Sequence, residues 1–183
     1  MIGGGVRSGK SAFALSAARA LGTRRVFIAT AEAFDDEMRE RAVRHRQERG
    51  GEFSTIEAPR ALVAALRGAS PQADVVVIDC LTLWLSNLLL EGLDQAAIAA
   101  RVDELCSALK ESEAHVVIVS NEVGMGVVPD SKLGRLFRDV SGAAHQVLAR
   151  QCDELYFALM GQLLRLRPLP IELVDASAHD APA

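Results

Sequence analysis

Gly4-Gly5-Val6-Arg7-Ser8-Gly9-Lys10-Ser11 is the stretch whose reading decides the fold. It fits G-x-x-x-x-G-K-[ST], the phosphate-binding loop. The glycines let the backbone curl so that successive N–H groups converge on phosphate oxygens. Lys10 sets a cation against the β- and γ-phosphates, and the Ser11 hydroxyl suits a Mg2+ ligand. An Ala/Leu-rich helical stretch, Ser11 to Leu21, follows at once. Its positive N-terminal end aims at the same anion. The competing interpretation is an accidental glycine-rich turn, but the full pattern arises by chance in only about one per cent of chains this long. Only Met1 and Ile2 precede Gly3, so the strand that normally leads into such a loop is expected to be very short or truncated.

Outward from the loop, three apolar runs rich in β-branched residues stand out: Val26 to Ala29, Val75 to Ile78 and Val116 to Val119. Continuous runs of this kind suit strands buried on both faces of a parallel sheet. Helical patterns lie between them, at Asp35 to Arg49, Arg60 to Leu66, Ala96 to Lys110 and Lys132 to Arg150. The alternation predicts an α/β fold with helices on both faces of a mostly parallel sheet. Glu154 to Met160 and Leu163 to Arg167 flank Gly161-Gln162, a pattern that predicts a hairpin closing one sheet edge. Residues 1–174 are expected to form one nucleotide-binding domain, and residues 175–183 a disordered tail.

Composition narrows the function. Of 183 residues, 50% are hydrophobic and only 4% aromatic, so the core must be aliphatic. With 20 Lys+Arg against 24 Asp+Glu and a net charge of -4, nucleic acid is not expected as the main partner, since phosphate-backbone binding needs a basic surface. The three cysteines are widely spaced with no C-x-x-C. That argues against a disulfide framework or a structural zinc and suits a reducing cytoplasm. The most apolar stretch, Val75 to Leu90, is interrupted by Asp79, Ser86 and Asn87. It falls short of the ~20 apolar residues of a membrane span, so a soluble cytoplasmic protein without stable membrane insertion is expected.

Further candidates surround the loop. Val75-Val76-Val77-Ile78-Asp79 is an apolar strand ending in an acid, the form that places a carboxylate near Mg2+ beside a phosphate-binding loop. In the highly charged stretch Asp35 to Arg49, Arg41, His45 and Arg49 fall on one helical face. Spacing alone favours a solvated face with His45 there by chance. The alternative is an imidazole ringed by guanidinium groups, kept neutral and nucleophilic. His115, His145 and His179 read as structural or incidental. Asn121 to Pro129 follows the third strand, where open α/β sheets bind ligands. It is either a substrate-contacting loop or a glycine-rich turn with structural duties. Trp84 reads as core or subunit interface rather than as a ligand platform.

More segments then carry a resemblance: Phe27-Ile28-Ala29-Thr30-Ala31, Asp35-Asp36-Glu37-Met38, His45-Arg46 through Arg49, and Thr55-Ile56-Glu57-Ala58-Pro59. Asp79-Cys80-Leu81-Thr82-Leu83-Trp84-Leu85-Ser86-Asn87 and Asn121-Glu122-Val123-Gly124-Met125-Gly126-Val127-Val128-Pro129 are the most specific, and Phe137-Arg138-Asp139 completes the set. With the glycine loop, these make a chain that closely resembles the bifunctional adenosylcobinamide kinase / adenosylcobinamide-phosphate guanylyltransferase family of cobalamin biosynthesis. The departures are the short first strand, Gly5 where the family more often has Ala, and Phe53 where it more often has Trp.

The resemblance implies a RecA-like P-loop NTPase fold and two reactions. The γ-phosphate of ATP or GTP goes to the aminopropanol hydroxyl of adenosylcobinamide. GMP from GTP then goes to adenosylcobinamide phosphate through a guanylylated histidine, giving adenosylcobinamide-GDP and pyrophosphate. The resemblance, not the spacing, assigns that histidine to His45, with Lys10 as the other catalytic residue. It also implies nucleotide contacts at Gly4, Gly5, Val6, Arg7, Ser8, Gly9, Lys10, Ser11, Ala29, Thr30, Ala31, Arg46, Gln47, Glu48, Arg49, Glu57 and Asp79. Mg2+ would sit at Ser11 and Asp79, and the assembly would be a homotrimer. Two other readings stay open: a P-loop small-molecule kinase in which His45 is inert, and a RecA-like regulatory ATPase, against which the acidic balance counts.

Overall fold

Val75, Val76, Val77 and Ile78 are all fully buried, because β4 (Val75–Asp79) has parallel neighbours on both sides and helices on both faces. Its partners are β2 (Arg25–Ala29) and β5 (His115–Asn121). Burying each such side chain stabilises the fold by about 1.5–3 kcal/mol. The computed structural model describes residues 1–32 and 50–174. The expected Asp35–Arg49 helix and the 175–183 tail lie outside the described residues.

Outside β2 lies β3 (Phe53–Glu57), also parallel. On the other side of β5, β1 (Ile2–Gly4) is inserted between β5 and β6 (Leu155–Leu159), parallel to both. β7 (Gln162–Arg167) and β8 (Glu172–Val174) then add antiparallel strands. The sheet order is β3-β2-β4-β5-β1-β6-β7-β8. The first strand has three residues, as short as the sequence implies.

Alternate residues of the central strands face opposite cores. Val75, Val77, Val117 and Val119 pack under α1 (Lys10–Leu21), against Phe13, Ala14 and Ala18. Val76, Ile78 and Ile118 face a larger aliphatic core built with α2 (Leu62–Ala69), α3 (Leu81–Leu90), α4 (Gln95–Glu111) and α5 (Lys132–Gln151). Trp84 is fully buried there, and its Nε1 donates to Arg60 O at 3.0 Å, so it belongs to the core. The turn from α1 to β2 is pinned by Asp74, whose carboxylate accepts from the Arg24 guanidinium at 2.6 and 2.8 Å and from the backbone N–H groups of Thr23 and Arg24 at 3.0 and 2.8 Å.

Three features differ from the sequence expectation. α3, β3 and β8 were not foreseen. The hairpin forms, but its two-residue turn is Met160-Gly161, both with positive φ (52° and 75°), one position earlier than expected. The hairpin also does not close the sheet, because β8 pairs beyond it.

Candidate active site

Gly4 ends β1 against Asn121 on one side and Ala158 on the other. A Cβ at Gly4 would stand 2.5 Å from Ala158 O and 2.8 Å from Ser8 Oγ, so this strand end tolerates only glycine. Residues 5–9 then curl, and Gly9, with φ 95°, caps α1. The hairpin turn braces the loop from outside: Gly161 N–H donates to Ser8 O at 3.2 Å. Lys10, in the first turn of α1, is buried, and its Nζ donates to Gly5 O at 2.9 Å. The cation is thus folded over the cradle it would share with phosphate. Arg7 and Val6 are exposed on the outer rim.

The sheet register brings the other candidates to the same edge. Ala29 stands level with Glu57 on β3 and with Asp79 on β4. The carboxyl ends of six parallel strands therefore share one rim, where such sheets bind ligands. Thr30 is fully buried. Its hydroxyl donates to Cys80 O and accepts from Cys80 N–H, both at 2.7 Å, tying β2 to β4. Its side chain therefore braces the rim, while Ala31 and Glu57 are exposed there. His45, Arg46, Gln47, Glu48 and Arg49 lie outside the described residues. The segment leading to them starts at Glu32, which is gripped by Arg60 through two contacts of 2.9 and 2.8 Å.

Two rim residues escaped the sequence reading as individuals. Asn87, buried on α3, donates from Nδ2 to Thr30 O and to Pro59 O, both at 2.8 Å. A lone amide in a leucine run was the only sign of it. Asn121, the last residue of β5, donates from Nδ2 to Thr82 Oγ1 at 3.2 Å, beside Cys80. A polar residue ending a buried strand was its sign. Burial pushes the Cys80 thiol up to about 11, with Asp79 nearby adding to the rise, so it stays a neutral thiol. His145 lies 2.6 Å by Nε2 from Ser120 Oγ. Burial lowers its pKa, with Glu122 opposing, which fits the structural role expected of it.

Ser11, at the start of α1, and Asp79, at the end of β4, are a donor set that fits Mg2+. That ion takes one or two protein oxygens and completes its shell with phosphate oxygens and water. No group of three or more His, Cys, Asp or Glu side chains suited to a metal occurs among the described residues, and Mg2+ held in this way does not need one.

A glycine cradle at the end of a central parallel strand, a buried lysine opening the next helix, and an acid-tipped strand two positions across the sheet, with β5 between, define a RecA-like P-loop NTPase fold. The fold is similar to that in the crystal structure of the RadB recombinase, with a TM-score of 0.50 at 15% identity, covering 94% of this chain and 78% of that one. The sequence matches cobinamide kinase / cobinamide phosphate guanyltransferase over residues 1–166, and the chain belongs to that family. It is similar to the bifunctional adenosylcobalamin biosynthesis protein CobP of Pseudomonas aeruginosa, 39% identical over 171 residues, covering 93% of this chain and 98% of the relative. It is also similar to the bifunctional adenosylcobalamin biosynthesis protein CobU of Escherichia coli, 36% identical over 173 residues, covering 88% and 95%. No helix among the described residues is long and apolar enough to cross a membrane.

Proposed function

We propose that this chain phosphorylates adenosylcobinamide with ATP or GTP and then transfers GMP from GTP to the resulting phosphate through a guanylylated His45. The observation that carries the reading is the shared rim. The glycine cradle, Ala29-Thr30-Ala31, Glu57 and Asp79 reach one edge of the sheet, in a chain that matches the family over residues 1–166.

In the kinase step the acceptor hydroxyl oxygen bonds to the γ-phosphorus as the bond to the bridging oxygen breaks, and the hydroxyl proton is released to solvent. The work of this chain is positioning and charge neutralisation. Lys10 exchanges its Gly5 carbonyl for phosphate oxygen, and the N-terminus of α1 faces the same charge. Ser11 and Asp79 would hold Mg2+, which supplies further neutralisation of the phosphate oxygens. In the transfer step a neutral His45 nitrogen bonds to the α-phosphorus and pyrophosphate leaves. An oxygen of the cobinamide phosphate then displaces the imidazole, restoring His45. The catalytic unit is residues 1–174, acting as a cytoplasmic homotrimer.

GTP labelled at the α- or the γ-phosphate tests this. Acid-labile α-label on the wild type, absent from His45→Ala and discharged by adenosylcobinamide phosphate, is the expected result. γ-Phosphate transfer without covalent α-label would reduce the function to a kinase. Sedimentation of the wild type tests the trimer.

A further inference from the structure

Between β5 and α5, the stretch Gly124 to Pro129 contains no charged residue, and three of its apolar side chains stand in solvent: Met125 at 81% exposure, Val127 at 94% and Val128 at 63%. The backbone beneath them is pinned. Arg138 donates to Gly124 O at 2.6 Å and to Val127 O at 3.0 Å. Arg135 donates to Pro129 O at 3.0 Å and to Asp130 O at 2.7 Å. The Glu122 carboxylate accepts from Gly124 N–H, and Ser131 caps α5 through Gly134 N–H at 3.1 Å. Two guanidinium groups spent on four loop carbonyls hold the apolar tips outward. The same loop is fastened to the phosphate cradle, since Glu122 N–H donates to Gly4 O at 2.9 Å.

We infer that this ledge seats the corrin macrocycle of the acceptor. The inference rests on the proposed function and adds to it the surface that binds the second substrate. A corrin is a broad ring with apolar faces and a rim of methyl and neutral amide groups, so an uncharged, preorganised apolar surface suits it. The reacting hydroxyl or phosphate hangs on a short side arm and must reach the phosphates over the glycine cradle. The ring therefore has to rest on the rim beside that cradle, which is where the ledge is anchored. A second copy of the chain is the other occupant to consider. Three side chains are far less than the ~800 Å2 per partner of a stable protein contact, which favours the small molecule.

The test uses the full chain carrying Met125→Ser and Val127→Ser, both at exposed positions. Labelling of the enzyme by α-labelled GTP without acceptor is expected at the wild-type level, and the sedimentation behaviour is expected to be unchanged. The adenosylcobinamide phosphate concentration for half-maximal discharge should rise about tenfold or more, from the lost apolar burial. An unchanged concentration, or an altered assembly mass, overturns the inference. Failure of the wild type itself to label would instead count against the functional reading. Equilibrium dialysis against adenosylcobinamide, read by corrin absorbance, then still decides: equal affinity of variant and wild type overturns the ledge, and weaker binding by the variant supports it.

Discussion

Asn87→Ala should cost about 2–4 kcal/mol of folding stability, because one buried amide nitrogen serves two strand-end carbonyls. Asn87 is 2% exposed, and its Nδ2 lies 2.8 Å from both Thr30 O and Pro59 O. A buried acceptor stripped of its donor costs about 1–3 kcal/mol. The two losses share one nitrogen and are coupled, so the total falls short of the sum of the maxima. A loss of this size lowers the folding equilibrium constant about 30- to 700-fold. Urea denaturation followed through the fluorescence of buried Trp84 measures it, as a midpoint shift of about 1–2 M at unchanged slope. Asn87→Asp separates hydrogen bonding from packing. It keeps the side-chain volume but faces two carbonyl oxygens with no donor at neutral pH. It should therefore be at least as damaging as alanine at pH 7. Protonation restores one donor, which raises the carboxyl's folded-state pKa above its unfolded value. The variant's deficit should accordingly shrink as pH falls and grow as pH rises. An alanine variant losing less than about 1 kcal/mol, or an aspartate variant as stable as wild type at pH 7, would refute the bracing argument.

Gly4→Ala should weaken binding of a fluorescent GTP analogue more than about tenfold, since the methyl group meets Ala158 O at 2.5 Å and forces β1 away from β6. Asp74→Asn should flatten the acid limb of the stability profile. The Arg24 guanidinium, with the Arg24 and Thr23 N–H groups, holds the Asp74 carboxyl well below the usual carboxylate range. Its contribution is therefore complete above the unfolded value of about 4 and is lost as pH falls toward the depressed folded value. Unfolding midpoints from pH 7 to pH 3 should drop more steeply in wild type than in the variant. Cys80, buried and with its thiol pushed up to about 11, should resist alkylation in the native protein at pH 8. Mass mapping should find it modified only after unfolding, and rapid native labelling there would contradict the burial.

The cradle and the acid-tipped strand were legible because their information is local: glycines where the chain must curl, and a valine run where both faces are covered. α3 was not, because Leu81–Leu90 is apolar almost throughout and has no polar stripe to reveal a helical period. β3 was missed because it is a short edge strand in which only Phe53 is buried. The hairpin turn slipped by one because Met160, not a second glycine or asparagine, takes the first positive-φ position. At the rim, residue types marked where phosphate would sit. They did not show that the Thr30 hydroxyl is spent on Cys80 or that Asn87 joins two strand ends, since both depend on partners at least 28 residues away. His45 rests on resemblance alone, since it lies outside the described residues.

β1 is the earliest strand in the chain, yet residues 2–4 pair with residues 119–121 and 156–158. During synthesis the centre of the sheet therefore waits open until its distant flanks have left the ribosome, and residues 2–4 dock among the last. Nascent chains arrested before Leu159 should be unable to hold nucleotide. Nucleotide present in the cell would accordingly stabilise only chains that have grown past β6, making the ligand itself a checkpoint on that stage of synthesis.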